Sequence, residues 1–214
     1  MAKNELRQRA LAVIGCATGA AVAAHAAWGV SLPLAVAVTI AGAAAVAAVL
    51  VPRLPAGLRS EAARRARVGA AAGLVATVSY DVARFGTVSV FRMSFQPFHV
   101  FELFGRPFVG EGAPVAAAFA AGALVHLCNG VGFGVAYVLF VRRPRILSGL
   151  AWAYVLEAFM VTLYPSWLQL QALGEFTQVS FLGHSVYGIV LALVSRRLLD
   201  ARIPAEPAMV EVAA

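Results

Sequence analysis

The sequence predicts an all-α, polytopic membrane protein with six transmembrane helices. Two features of composition support this class: 61% of the 214 residues are hydrophobic and only 13% are charged, whereas about 25% of the residues in a soluble domain are charged. The third is the placement of the basic residues, nearly all of which lie between apolar runs. Membrane topology therefore explains the net charge of +7, and nucleic-acid binding is not expected.

Six apolar segments are long enough to cross the bilayer, because a helix needs roughly 20 residues to span the ~30 Å hydrocarbon core. Prolines mark several ends: Pro33 begins the second segment, Pro52 ends it and Pro114 begins the fourth. The first segment is too long for the apolar core of a signal peptide and is predicted to be a retained helix. The segments cover residues 10–30, 33–52, 68–90, 113–141, 147–165 and 177–195.

The basic residues predict the orientation of these helices, because cytoplasmic loops are enriched in Lys and Arg. The outer side of the predicted topology has only Arg92 and Arg106. The cytoplasmic side has Lys3, Arg7, Arg9, Arg53, Arg59, Arg64, Arg65, Arg67, Arg142, Arg143, Arg145, Arg196, Arg197 and Arg202. We therefore expect a bacterial inner-membrane protein with both termini in the cytoplasm. Residues 1–202 form one domain and 203–214 a cytoplasmic tail.

Two pairs of predicted helices share a sequence pattern. In the third and fifth helices a Gly-Leu dipeptide precedes an acidic residue at the same interval, and in the fourth and sixth a histidine stands four residues before a glycine. The pattern comprises Gly73-Leu74, Asp81, His126 and Gly130 in the first pair, and Gly149-Leu150, Glu157, His184 and Gly188 in the second. The order predicts a parallel internal repeat of helices 3–4 and 5–6, beside an Ala- and Gly-rich two-helix scaffold.

Polar side chains inside the predicted spans are the candidate functional residues, because a charge at the bilayer centre costs at least ~2.5 kcal/mol and usually faces the bundle interior. Asp81 and Arg84 lie three residues apart and can pair. Counting about 1.5 Å per residue places the ionisable groups between the midplane and the outer leaflet. The predicted catalytic residues are Asp81, Glu157, His126, His184, Arg84, Asn129, Tyr80 and Tyr154. The predicted substrate-binding residues are Phe85, Phe133, Trp152, Tyr187 and His25.

The outer connection at residues 91–112 contains six phenylalanines spaced three or four residues apart. This spacing is typical of an amphipathic helix that lies in the membrane interface. The connection is predicted either to anchor the chain at the surface or to form a lid over the polar site. If it forms a lid, His99 and Glu102 would face polar surroundings.

An acid and a histidine in an apolar pocket can transfer protons, so the leading interpretation is a membrane enzyme. It would cyclise or isomerise a lipophilic, isoprenoid-like substrate, with aromatic residues stabilising carbocations. The sequence has no Asp-rich diphosphate motif, which argues against a prenyl diphosphate substrate.

Other interpretations stay open at this point. Asp81, Glu157, His126 and His184 could hold Fe, Mn or Zn, and His25 with His126 or His184 could ligate haem. The same groups suit a small proton-coupled transporter or channel, or a structural protein whose polar groups join helices. A homodimer is compatible with each of these functions.

Two stretches of the chain resemble a known family. The run VHLCNGVGFGVAY at residues 125–137, and Phe181–His184 followed by Arg196-Arg197, are similar to the YagU-type family of small bacterial inner-membrane proteins. The similarity covers residues 68–197. It implies a multipass membrane protein and adds no expectation about mechanism.

Overall fold

The structure, a computed structural model, describes residues 2–168 and 172–201, with side chains left out for residues 2, 3, 5 and 164–168. Every regular element in these two ranges is helical. The helices are α1 (Ala2–Ile14), α2 (Ala17–Trp28), α3 (Leu32–Leu50), α4 (Ala56–Phe91), α5 (His99–Val109), α6 (Val115–Phe140), α7 (Ile146–Leu168) and α8 (Leu173–Asp200). A short 3-10 turn at Val51–Arg53 follows α3. The predicted tail, residues 203–214, lies outside the described residues.

The chain is a helical membrane protein by the length and hydropathy of its helices. Among the described residues, four stretches are long and apolar enough to cross a membrane: Leu32–Arg53, Val115–Phe140, Ile146–Leu163 and Leu173–Asp200. Leu6–Ile14 and Ala17–Trp28 make a fifth if this pair, bent by 58°, counts as one span. The predicted third span lies in α4. α4 is not one of the four stretches, because the charged Asp81 and Arg84 lower the mean hydropathy of its apolar half.

The prediction of one continuous helix over residues 10–30 is wrong. The helix ends at Gly15 and Cys16, where two successive amides donate to carbonyls three residues earlier. This hydrogen-bond pattern is tighter than that of an α-helix, so the α-helix does not continue through it. A Cβ on Gly15 would collide with the carbonyl of Gly132. The glycine therefore lets the end of α1 touch α6 before the chain turns into α2.

α4 begins at Ala56, well before the predicted start of the third span at residue 68. Its arginine-rich first turns, predicted as a loop, continue the helix and join the neighbouring helix ends. Arg65 donates to the carbonyls of Val138 (2.9 Å) and Val141 (2.6 Å), and Arg64 donates to a carbonyl in the last turn of α8 (3.4 Å). The last carbonyls of a helix lack intrahelical partners, so these bonds tie together one end of the bundle.

Glycines set the packing of the four C-terminal long helices. α4 packs on α6 and α8, and α7 packs on α8. The consecutive helices α6 and α7 have little backbone contact and meet through side chains such as Tyr137 and Ser148, whose hydroxyl groups lie 2.9 Å apart. A Cβ on Gly73 would collide with the carbonyl of Gly130, and a Cβ on Gly149 with the carbonyl of Gly188. Equivalent glycines of the two predicted repeat units thus make equivalent backbone contacts, as small residues do between helices in lipid.

The Phe-rich connection contains one short helix, α5, which packs along α6. Phe101 and Phe104 are buried, and the backbone of Phe101 lies against Gly122. On the other face, Glu102 pairs with Arg106 at 2.6 Å. The helix is amphipathic, as the phenylalanine spacing predicts, but its apolar face packs on protein.

Replacing Gly73 or Gly149 by alanine should lower the unfolding temperature, because the added methyl group meets the backbone of the neighbouring helix. Overpacking of this kind typically costs about 1–3 kcal/mol. Gly86→Ala is the matched control, since a Cβ there meets nothing within 4 Å and alanine favours a helix over glycine. Thermal unfolding of the purified variants in one detergent measures the difference. Equal midpoints for all three variants would contradict the proposed contacts.

Candidate functional site

A cavity of about 790 Å³ lies between α6 and α7, away from the arginine-rich end of the bundle. α2 closes one side of it with the small residues Gly19, Ala20 and Ala23, and α4, α5 and α8 complete the lining. α2 is therefore more than the scaffold that its composition predicts. The volume falls within the ~300–1,000 Å³ of ordinary ligand pockets.

Most of the lining is apolar or aromatic, and the polar lining residues divide into two groups. One group lies inside the helical bundle and consists of Thr77, Tyr80, Arg84, His126, Asn129, His184 and Tyr187. The other lies at the start of the Phe-rich connection and consists of Ser94, Gln96 and His99. Isolated polar groups in an apolar pocket orient a ligand and determine which ligand is accepted.

The first acid–histidine pair joins α4 to α6. His126 Nε2 lies 3.1 Å from Asp81 Oδ2, and both side chains are more than four-fifths buried. An ionised carboxylate can only accept, so Nε2 carries the ring proton and Nδ1 is the basic nitrogen. Arg84 Nη1 lies 3.8 Å from the other carboxylate oxygen, so Asp81 and Arg84 pair as their spacing predicts.

The second acid–histidine pair joins α7 to α8. His184 Nδ1 lies 2.6 Å from Glu157 Oε2, and the Ser180 hydroxyl donates to the same oxygen at 2.6 Å. Glu157 is buried. By the same reasoning Nδ1 of His184 carries the proton and Nε2 is the basic nitrogen.

Tyr80 lies next to both pairs. Its ring centroid is 5.8 Å from that of His126 and 4.9 Å from that of His184, and the Arg84 guanidinium lies 4.9 Å from the same centroid. Both imidazoles line the cavity, whereas Asp81 and Glu157 do not. A single ligand near Tyr80 can therefore reach two histidines, each held by a carboxylate behind it.

Four further predicted residues line the cavity: Asn129, Phe133, Trp152 and Tyr187. The Tyr187 hydroxyl donates to the carbonyl of Gly130 at 3.1 Å. Asn129 Oδ1 and Trp152 Nε1 are buried without a hydrogen-bond partner. Buried polar atoms normally have a hydrogen-bond partner, so these two atoms have unused hydrogen-bonding capacity, as does Nε of Arg84.

Three predicted residues lie away from the cavity. Tyr154 shares a hydrogen bond with Ser185 (3.0 Å), Phe85 is 55% exposed, and the His25 ring lies 2.7 Å from the carbonyl of Val30. Tyr154 and Phe85 miss the cavity because each step along a helix turns the side chain by about 100°. The residues that face the cavity recur every three or four positions on α7: Trp152, Val155, Leu156, Phe159, Met160 and Leu163.

The alternative of a metal site formed by Asp81, Glu157, His126 and His184 has no support among the described residues. Within residues 2–168 and 172–201 no three His, Cys, Asp or Glu side chains are close enough to hold an ion together. The acids and histidines form two separate pairs instead of one cluster. The haem hypothesis also loses its support, because His25 does not line the cavity.

Sequence reasoning missed Ser180 and the contribution of α2. Ser180 stands four residues before His184 on the same helical face, so the spacing was a usable signal. The side of α2 that faces the cavity could not be found, because an Ala- and Gly-rich helix has no clear apolar periodicity.

Comparison with known proteins identifies a family. Residues 63–205 match the Family of unknown function (DUF6789), and the comparisons give no support for the YagU-type resemblance. The matched residues include both acid–histidine pairs and exclude α1, α2 and α3. No curated protein and no solved structure matches the chain.

A double-mutant cycle on Glu157→Gln and His184→Gln should give a coupling free energy of about 0.5–3 kcal/mol, as residues in direct contact do. The measurement is the free energy of unfolding from denaturant titrations in mixed micelles. The matched control is Glu157→Gln with His99→Gln, because His99 lies on α5 and is exposed. If the two substitutions of the first cycle change the free energy of unfolding additively, the contact between Glu157 and His184 does not stabilise the fold.

Proposed function

This chain belongs to the DUF6789 family of unknown function, and we propose that it is an integral membrane enzyme that isomerises a lipophilic substrate by proton transfer. The observation that carries the proposal is the meeting of two acid–histidine pairs at Tyr80, on the wall of an apolar cavity. Histidine is the side chain best suited to give and take protons near neutral pH.

The two carboxylates act as positioning residues in this proposal. A carboxylate behind an imidazole fixes its tautomer and stabilises the imidazolium that forms during proton transfer. Asp81 and Glu157 have this relation to His126 and His184, and both acids lie outside the cavity lining. The imidazoles are then the catalytic residues, since they are the groups that meet the substrate.

The proposed reaction moves one proton and one double bond. The protonated imidazole delivers a proton to one carbon of the double bond, and aromatic rings of the cavity stabilise the carbocation that forms on the other carbon. The other, neutral imidazole then removes a proton from the carbon next to the cation, so the double bond shifts by one position. Substrate and product have the same composition, so no co-reactant is consumed. The two histidines end with exchanged protonation states, which water at Ser94, Gln96 and His99 can reset. Cyclisation started by protonation would use the same two groups.

We further propose that the chain makes six spans in the bacterial inner membrane, with both termini in the cytoplasm. The bent pair α1–α2 would form the first span, followed by α3, α4, α6, α7 and α8. The arginines of α4 bond to the ends of α6 and α8, which supports a common basic end. A homodimer would use α3, whose most apolar window is only 6% buried.

Cysteine labelling tests this topology. In a chain without Cys16 and Cys128, Gly112→Cys should react with a membrane-impermeant maleimide in intact cells. Ser60→Cys and Arg143→Cys should react only after permeabilisation, because they lie at the arginine-rich end. All three positions are exposed, so burial does not explain a difference. Labelling of Ser60→Cys in intact cells would overturn the proposed orientation.

Deuterium exchange tests the proposed activity on a mixture of candidate lipids, so that no single substrate has to be chosen. Purified protein is incubated in D₂O with a total lipid extract, and lipids that gain carbon-bound deuterium are identified by mass spectrometry. We expect at least one lipid to gain deuterium, and His126→Gln or His184→Gln to lower the rate by about 10²-fold or more. His25→Gln is the matched control, because His25 does not line the cavity.

The positioning role of the carboxylates has its own readout. Asp81→Asn and Glu157→Gln should change the pH profile of the exchange rate, whereas a purely structural role would lower the rate equally at every pH. Folded protein with no deuterium gain in any lipid would refute the enzyme. Proton flux into protein-containing liposomes would then favour a transporter.

A further inference from the structure

The exposed part of the cavity lining is of two kinds. Ser94, Gln96 and His99 give a polar edge at the start of the Phe-rich connection. Along α2 and α7 the exposed lining residues are apolar, and the large side chains of Trp28 and Phe159 are 77% and 63% exposed. The cavity thus opens toward polar surroundings at one edge and toward apolar surroundings at the side.

The apolar opening runs along the helix axis of α7. Val155 and Phe159 are separated by one helical turn and therefore lie on one face, and both are exposed while lining the cavity. Trp28, the last residue of α2, also lines the cavity and is exposed. In a membrane an apolar slot on the side of a bundle faces acyl chains, so a lipid can enter without crossing water.

The polar end of the cavity has no excess of positive charge. The Arg84 guanidinium is accompanied by the carboxylates of Asp81 and Glu157, the first at 3.8 Å. With one imidazole protonated, as the proposed reaction requires, the positive charges only balance the two carboxylates. A phosphate or carboxylate group buried there would therefore add a negative charge without a partner, which is strongly unfavourable. The site therefore favours a neutral polar group over an anionic one.

Hydrogen-bonding capacity points to the type of neutral group. Asn129 is nine-tenths buried and its Oδ1 can accept, while the indole Nε1 of Trp152 can donate; neither has a partner. A hydroxyl group both donates and accepts. A ligand hydroxyl between α6 and α7 would donate to Asn129 Oδ1 and accept from Trp152 Nε1.

We propose that the substrate is a lipid with a neutral hydroxyl end, an inference that rests on the proposed function. This lipid enters from the bilayer through the slot between α2 and α7. The hydroxyl binds among Asn129, Trp152 and the two imidazoles. The hydrocarbon chain extends past Phe159 toward the membrane. The double bond that shifts then lies near the hydroxyl end, within reach of His126 and His184.

Fluorescence quenching tests this assignment by binding alone. A variant with Trp28→Phe and Trp167→Phe keeps Trp152 as its single tryptophan, and bromine quenches an indole only at contact. The probe is octadecanol brominated near its hydroxyl end, added to the protein in bilayer nanodiscs. We expect saturable quenching, with at least tenfold weaker binding for the equally brominated octadecyl phosphate. Equal binding of the two probes, or quenching that does not saturate, would overturn the neutral-hydroxyl assignment.

Substitutions on α2 test the route. Ala23→Phe narrows the cavity from the α2 side and should reduce the affinity for the alcohol at least tenfold. Ala27→Phe is the matched control, since Ala27 is exposed on α2 and does not line the cavity. Asn129→Leu should weaken alcohol binding by about fivefold to tenfold, the effect of one lost hydrogen bond. An unchanged affinity in Ala23→Phe would refute the slot.

The two proposals can fail separately. If the alcohol quenches Trp152 but no lipid gains deuterium, the binding site stands and the isomerase does not. If lipids gain deuterium while the alcohol fails to bind, the enzyme stands and the hydroxyl-lipid assignment is wrong.

Discussion

The cost of an unpaired charge in lipid is the constraint on which the arrangement of these helices depends. Asp81 meets His126 across α4 and α6, and Glu157 meets His184 across α7 and α8. In each pair of helices a glycine contact lets the backbones approach, and the hydrogen bond between acid and histidine fixes how the helices are rotated. α6 and α7 share neither kind of contact, and the cavity lies between them.

The two acid–histidine pairs have different surroundings although they occupy equivalent positions. Asp81 has a guanidinium beside it, whereas Glu157 is buried and accepts a bond from Ser180. Two titratable groups in unlike environments are a usual basis for dividing acid and base roles. Arg84 also donates to the carbonyl of Pro97 at 3.2 Å, so the same residue holds the Phe-rich connection close to the site.

The acid–histidine repeat could be found from the sequence because lipid leaves few places for ionisable groups. Interval and order placed Asp81 with His126, and Glu157 with His184, in one repeat unit each, but did not predict that the two members of a unit touch. The break at Gly15 could not be found, since hydropathy continues unchanged through it and only the contact with Gly132 in the folded chain requires it. Tyr154 was misplaced for a related reason. The sequence shows which residues a helix contains, but the packing of the helices determines which of its faces borders the cavity.

The break between α1 and α2 explains why the cavity has a wall on that side. α1 touches α6 through Gly15, and after the bend α2 contacts both α6 and α7. A straight helix over residues 10–30 would continue along α6 and leave the space before α7 open. The acid–histidine pairs lie within residues 63–205, which match the family, and the α2 wall lies outside them. The part of the cavity wall that comes from α2 is therefore supplied by a segment outside the matched residues, whereas Asn129 and Trp152 lie inside them.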